Sequence, residues 1–185
     1  MMGESYIFES DRLGFRRWKN DDREAFARMN ADPQVMEYFP NTLTQAESDK
    51  LIQRFEQHTE EKGFGIWAVE RKEDGAFIGF IGLLEVGFDA GFQGAVEIGW
   101  RLDNKFWKQG YATEGAKACL DYGFGPLGLR EICSFTAAIN GPSETVMQRI
   151  GMEKVKEFDH PKLAEGSPLR RHVLYRITAD KYAAQ

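Results

Sequence analysis

The chain has 185 residues, of which 42% are hydrophobic and 29% are charged, so it can form a substantial core and is too apolar for a disordered chain. Its formal net charge of −5 argues against a nucleic-acid backbone as the principal partner, because phosphate binding needs clustered Lys and Arg. No window reaches the apolar length of a membrane span, and the first residues lack the basic start and apolar core of a secretory signal. We therefore expect a cytoplasmic protein without nucleic-acid or membrane partners and, since repeats and linkers are absent, a single domain over residues 1–185.

The first part of the chain predicts one strand and two helices. A strand over residues 13–18 precedes a helix that Asn20 or Asp21 can cap. The segment Thr44–Glu47 is a capping box, and the helix behind it is expected to end near residue 62.

The rest of the chain predicts a hairpin, with an Asp-Gly turn signal, followed by alternating strands and helices. The predicted strands cover residues 64–70, 76–86, 95–102, 130–138, 152–158 and 171–178, and the predicted helices cover residues 112–123 and 142–150. The strand–helix–strand unit over residues 95–137 should be a parallel, right-handed crossover. The pattern predicts an α/β fold of mixed α+β character, in which a sheet of six to seven strands carries helices on both faces.

The junction between strand 95–102 and the next helix is a candidate phosphate site. The segment WKQGYA, residues 107–112, turns the chain and opens the helix, so several backbone N–H groups point to one place at the positive end of the helix dipole. Gly110 has no side chain, which lets a ligand approach the backbone closely. From spacing alone, an ordinary turn glycine without a ligand is an equally good interpretation.

Glu97 is the residue of this strand with the greatest chemical interest. The apolar residues alternate from Val96 to Leu102 as a core face, which places Glu97 on the other face. A carboxylate in mid-strand is uncommon unless it is exposed or paired. A solvated side chain and an ion pair with Arg101 therefore stand as alternatives to a catalytic role.

A second candidate constellation lies before the helix at residues 142–150. Asn140 and Ser143 flank a Gly-Pro pair. Capping of the helix by these two side chains around Pro142 explains the pattern without any ligand. A capping role and a catalytic role do not exclude each other.

Other reactive side chains carry weaker signals. Cys119 and Cys133 fall in a predicted helix and a predicted strand without CxxC or metal-ligand spacing, so we expect buried free thiols. The three histidines also lack metal-ligand spacing, and no Ser-His-Asp or Cys-His pattern is present. We predict no metal site and no covalent nucleophile.

Together these features resemble the GNAT superfamily of N-acetyltransferases, with the closest likeness to the ribosomal-protein N-terminal acetyltransferases. The family's loop has the form Gln/Arg-x-x-Gly-x-Gly/Ala, and Gly110 and Ala112 fill its fourth and sixth places. Trp107 occupies the first place of the loop, where the family has Gln or Arg. In the ribosomal-protein branch, however, the loop reads close to W-x-x-GYATEA. The family's N-x-x-S pattern is met by Asn140 and Ser143. The K-x-G-F that follows in the family is represented here by Arg149, Gly151 and Met152.

The resemblance implies a GNAT-like twisted mixed sheet and acetyl-CoA as cosubstrate. It implies that the backbone of Trp100, Arg101 and Leu102 pairs with the pantetheine arm, and that Asn140 binds this arm or the nearby backbone. It also implies that six consecutive N–H groups hold the pyrophosphate, those of Lys108, Gln109, Gly110, Tyr111, Ala112 and Thr113. By the same resemblance Glu97 is the general base, with Glu85 as second choice, and Ser143 assists the departing thiolate.

The expected reaction is direct attack of a primary amine on the thioester. The acceptor is either the N-terminal amine of a protein or a small amine such as a polyamine, an amino acid or an aminoglycoside-like compound. A non-catalytic acyl-CoA-binding or regulatory module is the alternative function; it would retain Gly110 and Asn140 without the acid–base pair. The absence of GxxxxGKS and GxGxxG sequences disfavours a nucleotide-binding protein. A homodimer is expected from the family likeness alone.

Overall fold

The computed structural model describes residues 5–185, and this part of the chain contains an eight-stranded sheet. The strands are β1 (Phe8–Glu9), β2 (Leu13–Arg16), β3 (Ile66–Arg71), β4 (Ala76–Glu85), β5 (Val96–Leu102), β6 (Glu131–Ala137), β7 (Glu153–Asp159) and β8 (Arg171–Thr178). Their order across the sheet is β1-β2-β3-β4-β5-β6-β8-β7, and only β5 and β6 pair in parallel within the described residues. The predicted mixed sheet is confirmed. It has one strand more than expected, because β1 pairs over only two residues and carries too little pattern to be predicted.

Five α-helices occur in the described part of the chain. They are α1 (Asp22–Ala31), α2 (Gln45–Lys62), α3 (Tyr111–Phe124), α4 (Gly141–Arg149) and the short α5 (Ala179–Ala183), which the sequence did not predict. The capping box of α2 is confirmed, with hydrogen bonds in both directions between Thr44 and Glu47. The expected cap of α1 is wrong, because the Asp21 side chain makes no capping bond; the Asp22 carboxylate instead accepts from the Lys19 N–H at 2.8 Å. None of these helices is long and apolar enough to cross a membrane.

The two sheet faces are covered in different ways. One face packs against α3 and α4 in a large core that includes Ile98, Leu120 and Met147. On the opposite face, α1 and α2 cover only the β3–β5 half, around Phe26 and Ile52. The β6–β8–β7 half of that face is covered by an aromatic lobe, which we define as the loop 86–95 together with Phe135, Phe158, His160 and His172. Between the helices and the aromatic lobe lies the strip of sheet face that carries Glu97, Gly99 and Arg101 of β5, which we call the trough.

The parallel strands β5 and β6 diverge soon after they meet. They share one paired position, Glu97 with Cys133, whereas β5 pairs with β4 along its whole length. A side-chain hydrogen bond from the Ser134 hydroxyl to the Ile98 carbonyl, 2.9 Å long, closes the narrow end of the gap. Beyond this point the sheet is open between β5 and β6.

Candidate active site

The loop before α3 presents a run of free backbone donors. Lys108 has φ +59° and Gly110 has φ +82°, and Lys108 is the non-glycine residue with positive φ in the described part of the chain. Among the described residues no acceptor receives a hydrogen bond from the N–H groups of residues 108–113; the next N–H, of Glu114, bonds to the Gly110 carbonyl at 3.0 Å. Six free donors at the positive end of a helix suit the oxygens of a phosphate or pyrophosphate group.

The side chains of this loop hold its shape. The Trp107 indole donates to the Leu102 carbonyl at 2.8 Å and remains 41% exposed. The Gln109 amide donates to the Lys105 carbonyl at 3.2 Å. The Tyr111 side chain is buried, so only its backbone faces the loop. Trp107, which departs from the family's first loop residue, thus ties the loop to the end of β5.

The backbone of β5 points alternately to β4 and to the open gap. The carbonyls of Ile98 and Leu102 bond to Ser134 and Trp107, both away from β4. Since alternate residues of a strand direct their N–H and C=O to the same side, those of Trp100 face the gap as well. Arg101 alternates with Trp100 and Leu102 along the strand, so its N–H and C=O face β4. Of the three residues predicted to pair with a pantetheine arm, Trp100 and Leu102 face the gap and Arg101 does not.

Glu97 lies on the floor of the trough, between Leu84 of β4 and Cys133 of β6. The side chain is half-buried and, within residues 5–185, forms neither a hydrogen bond nor an ion pair. The predicted alternative of a pair with Arg101 is therefore not observed. Burial raises the pKa of Glu97 to about 8, because desolvation disfavours the carboxylate. A carboxyl that titrates near neutral pH, without a structural partner, has the properties of a catalytic acid or base.

Glu85 is differently placed. It is exposed at the end of β4 and forms an ion pair with Lys62 at 2.8 Å. This partner lowers the pKa of Glu85, so its carboxylate is a weak proton acceptor at neutral pH. The geometry favours Glu97 over this second choice.

Asn140 and Ser143 form a small network at the start of α4. The Asn140 amide donates to the hydroxyls of Thr136 at 2.9 Å and Ser143 at 3.1 Å, and its carbonyl oxygen accepts from the Ser143 N–H at 3.2 Å. The predicted capping role is confirmed for Asn140, whereas the Ser143 side chain accepts only from the Asn140 amide and makes no capping bond within the described residues. Both amide N–H donors of Asn140 are used within the protein, which leaves its oxygen as the only side-chain group for a ligand.

The other reactive groups are buried. Cys119 and Cys133 are free and buried, as predicted, and desolvation raises the pKa of Cys133 to about 12. Burial in the aromatic lobe lowers the pKa of both His160 and His172. Residues 5–185 contain no cluster of His, Cys, Asp and Glu that could hold a metal ion.

Sequence reasoning missed three features of the site. These are the Ser134 bond across the strands, the aromatic lobe, and the contacts of Arg101 with Asn30 and Phe39. Of these three features, only the aromatic lobe could have been predicted from the sequence. Phe88 and Phe92 lie in a glycine-rich loop, where large aromatic residues are unusual unless they pack against another part of the protein.

Comparisons with known proteins agree with this geometry. A family model described as an acetyltransferase (GNAT) domain matches residues 12–153. The chain is 31% identical over 176 residues to the FsC-acetyl coenzyme A-N(2)-transacetylase of Aspergillus fumigatus, covering 88% of this chain and 72% of that one. Among solved structures it is similar to a GNAT-family acetyltransferase from Bacillus anthracis, with a TM-score of 0.78, 25% identity, and coverage of 94% and 98% of the two chains. Mycobacterium smegmatis RimJ in complex with CoA-disulfide shares the fold, with a TM-score of 0.73, 19% identity, and coverage of 93% and 88%.

Proposed function

The chain belongs to the GNAT acetyltransferase family and transfers an acetyl group from acetyl-CoA to an amine, and on this premise we propose that Glu97 is its general base and Ser143 its thiolate-stabilising group. The observation that carries the proposal is the unpartnered Glu97 carboxyl, which lies beside the open gap between β5 and β6. Acetyl-CoA supplies the activated acetyl group. The protein's own groups bind it, orient the amine and move the protons.

The free donors before α3 support the assignment of the pyrophosphate site. The N–H groups of residues 108–113 have no acceptor among the described residues, and the exposed Lys108 side chain adds a positive charge. The Trp100 backbone, which faces the gap, is the proposed partner of the pantetheine arm. Backbone donors of this kind contribute by positioning and by offering fixed dipoles that need no rearrangement.

The acceptor amine must lose a proton before it can attack the thioester, because amines are mostly protonated at neutral pH. Their pKa is about 8 for an α-amine and about 10.4 for a lysine amine. The ionised Glu97 carboxylate accepts this proton, directly or through one water molecule. With a pKa of about 8, the carboxyl is largely protonated at pH 7 in the free protein. A bound ammonium group would shift the carboxyl toward its ionised form.

Ser143 has its hydroxyl proton available. Its oxygen accepts from the Asn140 amide at 3.1 Å, and no described residue accepts a hydrogen bond from it. The hydroxyl can therefore donate to the sulfur of the departing CoA thiolate. Asn140 acts as the positioning residue that holds Ser143 at this place.

The acceptor enters through the trough, on the sheet face opposite α3. One wall is the segment that links α1 and α2, residues 32–44, and the other is the aromatic lobe. Both acceptor classes, a protein N-terminal amine and a small amine, are proposals for this site.

Calorimetric titration with acetyl-CoA, with ATP and NAD as controls, tests the cosubstrate, and free-thiol release with a panel of amines tests the reaction. Selective acetyl-CoA binding and amine-dependent thiol release are the expected results. Acetyl-CoA binding without thiol release for any amine would instead support the non-catalytic module. Absence of acetyl-CoA binding would overturn the proposed function.

We also propose a cytoplasmic location and a homodimer. The two free, buried cysteines agree with a reducing compartment. The homodimer follows only from the family resemblance, and light scattering of the purified protein tests it.

A further inference from the structure

Arg101 is a cation on the acceptor face without an anionic partner among the described residues. Its Nη1 donates to the Asn30 Oδ1 at 2.8 Å, whereas its buried Nε has no acceptor. No carboxylate of residues 5–185 pairs with it. The guanidinium lies over the rings of Phe39 and Phe80, 4.3 Å and 5.3 Å from their centroids.

These contacts leave most of the guanidinium's bonding capacity unused. A guanidinium has five N–H donors, and one of them finds an acceptor in the described structure. Contacts with aromatic rings compensate only part of the penalty for removing a cation from water. Because Arg101 remains partly exposed and Nε is its one buried atom without a partner within residues 5–185, an anionic group that enters the trough can reach the free donors of the Nη atoms.

The position of the guanidinium is fixed by a buried network. Asn30 is fully buried, donates to the Ser48 hydroxyl at 3.0 Å, and accepts the Leu43 N–H on its backbone carbonyl at 2.9 Å. Its side-chain oxygen is therefore aimed at Arg101. Phe39, which is 38% exposed, covers the guanidinium from the solvent side. This is a preorganised cation rather than a surface arginine free to find any carboxylate.

Arg101 and Glu97 stand on the same sheet face, on either side of Gly99. Residues two apart on a strand are about 6.6 Å apart. Glu97 and Arg101 are four residues apart, so their Cα atoms are about 13 Å apart along the strand. An acceptor that lies along β5 above Gly99 has the Glu97 carboxyl at one end and the Arg101 side chain at the other. The two side chains complement an acceptor with opposite charges at its two ends.

We propose that Arg101 binds a carboxylate of the acceptor, so that the substrates are amines that also carry a carboxylate. A polyamine would place a second ammonium group against the guanidinium, and this like-charge contact would select against it. The inference rests on the proposed function and narrows the acceptor classes that were left open by excluding polyamines. A peptide or amino acid with an acidic group fits the site, and a polyamine does not.

The test compares three amines of equal chain length with the full-length protein at saturating acetyl-CoA: 5-aminopentanoate, pentylamine and 1,5-diaminopentane. Thiol release is measured for the wild type and for Arg101→Met, Arg101→Lys and Arg54→Met.

A charge-assisted hydrogen bond is worth about 1.5 to 3 kcal/mol, so kcat/KM for 5-aminopentanoate should exceed that for 1,5-diaminopentane by about 10- to 100-fold. Arg101→Met should abolish this preference, and Arg101→Lys should keep part of it. The exposed Arg54 of α2 lies away from the trough, and its variant should behave as the wild type.

Several outcomes overturn the inference: equal use of the amino acid and the diamine, preference for the diamine, turnover of none of the three amines, or an unchanged preference in Arg101→Met. Acetyl-CoA affinity, measured by calorimetry on each variant, separates this failure from that of the proposed function. If the wild type binds acetyl-CoA and releases thiol with any amine of the wider panel, the proposed function stands whatever the preference among these three amines. If Arg101→Met loses acetyl-CoA binding through misfolding, Arg101→Lys decides. A reduced preference with wild-type acetyl-CoA affinity supports the inference, since a lysine keeps the charge but not the fork of donors, and an unchanged preference overturns it.

Discussion

The loop before α3 and the trough on the opposite sheet face are the two parts of the proposed site, and they are built differently. The loop offers backbone N–H groups at residues 108–113, while its side chains shape it or point to solvent. The trough offers the side chains of Glu97 and Arg101, which stand on a regular strand whose backbone at these residues is directed to β4. Substitutions in the loop should therefore act through backbone geometry and change acetyl-CoA affinity. Substitutions in the trough remove a functional group and should change turnover or acceptor choice.

The largest expected effect is on Glu97. Glu97→Gln keeps the shape of the side chain and removes the base, so kcat should fall by about 10²- to 10⁴-fold while acetyl-CoA affinity stays unchanged. Steady-state thiol release and calorimetry measure the two quantities. Glu85→Gln is the matched control, because Glu85 is exposed and paired with Lys62, and its kcat should stay within about twofold of the wild type. Wild-type turnover in Glu97→Gln would remove the base assignment and with it the contrast between the two regions.

The pH dependence of kcat/KM should reflect the ionisation of the Glu97 carboxyl. The active form is the ionised one, and the pKa of Glu97 is about 8. The value of kcat/KM should therefore rise with pH, about tenfold per unit below pH 8, and level off above it. The amine also loses its proton as pH rises, so the informative comparison is the pH profile of the wild type divided by that of Glu97→Gln. A ratio that does not change between pH 6 and 9 would contradict the assignment.

Gly110→Ala should have a smaller effect than Glu97→Gln, and the effect should be on acetyl-CoA binding. Gly110 has φ +82°, and a residue with a Cβ adopts this left-handed conformation at a penalty of about 1 to 2 kcal/mol. If the loop shifts away from this left-handed conformation, acetyl-CoA affinity should fall by about 5- to 30-fold with little change in kcat. Gly63→Ala is the control: it has φ +78° at the end of α2, and a Cβ there meets open space. It should lower thermal stability but leave acetyl-CoA affinity unchanged.

The smallest effect is expected for Trp107→Phe. This change removes the indole bond to the Leu102 carbonyl, worth about 1 kcal/mol, and should weaken acetyl-CoA binding by about fivefold. Trp18→Phe removes a similar bond, from the Trp18 indole to the Ile66 carbonyl at 2.9 Å, in the half of the protein under α1 and α2. Trp18→Phe should reduce the stability of the protein and leave acetyl-CoA affinity unchanged. Equal loss of acetyl-CoA affinity in both variants would show that the Trp107 bond does not act on the loop specifically.

Much of the fold follows from signals that lie within a few residues of each other. The capping box at Thr44 starts α2, and the Asp-Gly turn joins β3 to β4, as predicted. The failures occurred where the local signal was short or ambiguous. The strand β1 and helix α5 have two and five residues, and the cap of α1 is decided by the Asp22 carboxylate, which also pairs with Arg16.

The sequence by itself determined the family, the order of all elements except β1 and α5, and the position of the loop before α3, because these depend on motifs and periodicities that lie within short segments. Only the tertiary structure decided that β5 and β6 separate after Glu97, that this carboxyl lacks a partner among the described residues, and that Arg101 meets Asn30 and Phe39. These properties depend on residues 36 to 71 positions apart in the chain, such as Glu97 with Cys133 and Asn30 with Arg101. The desolvation that raises the pKa of Glu97 arises from packing against several elements at once, which no local pattern records.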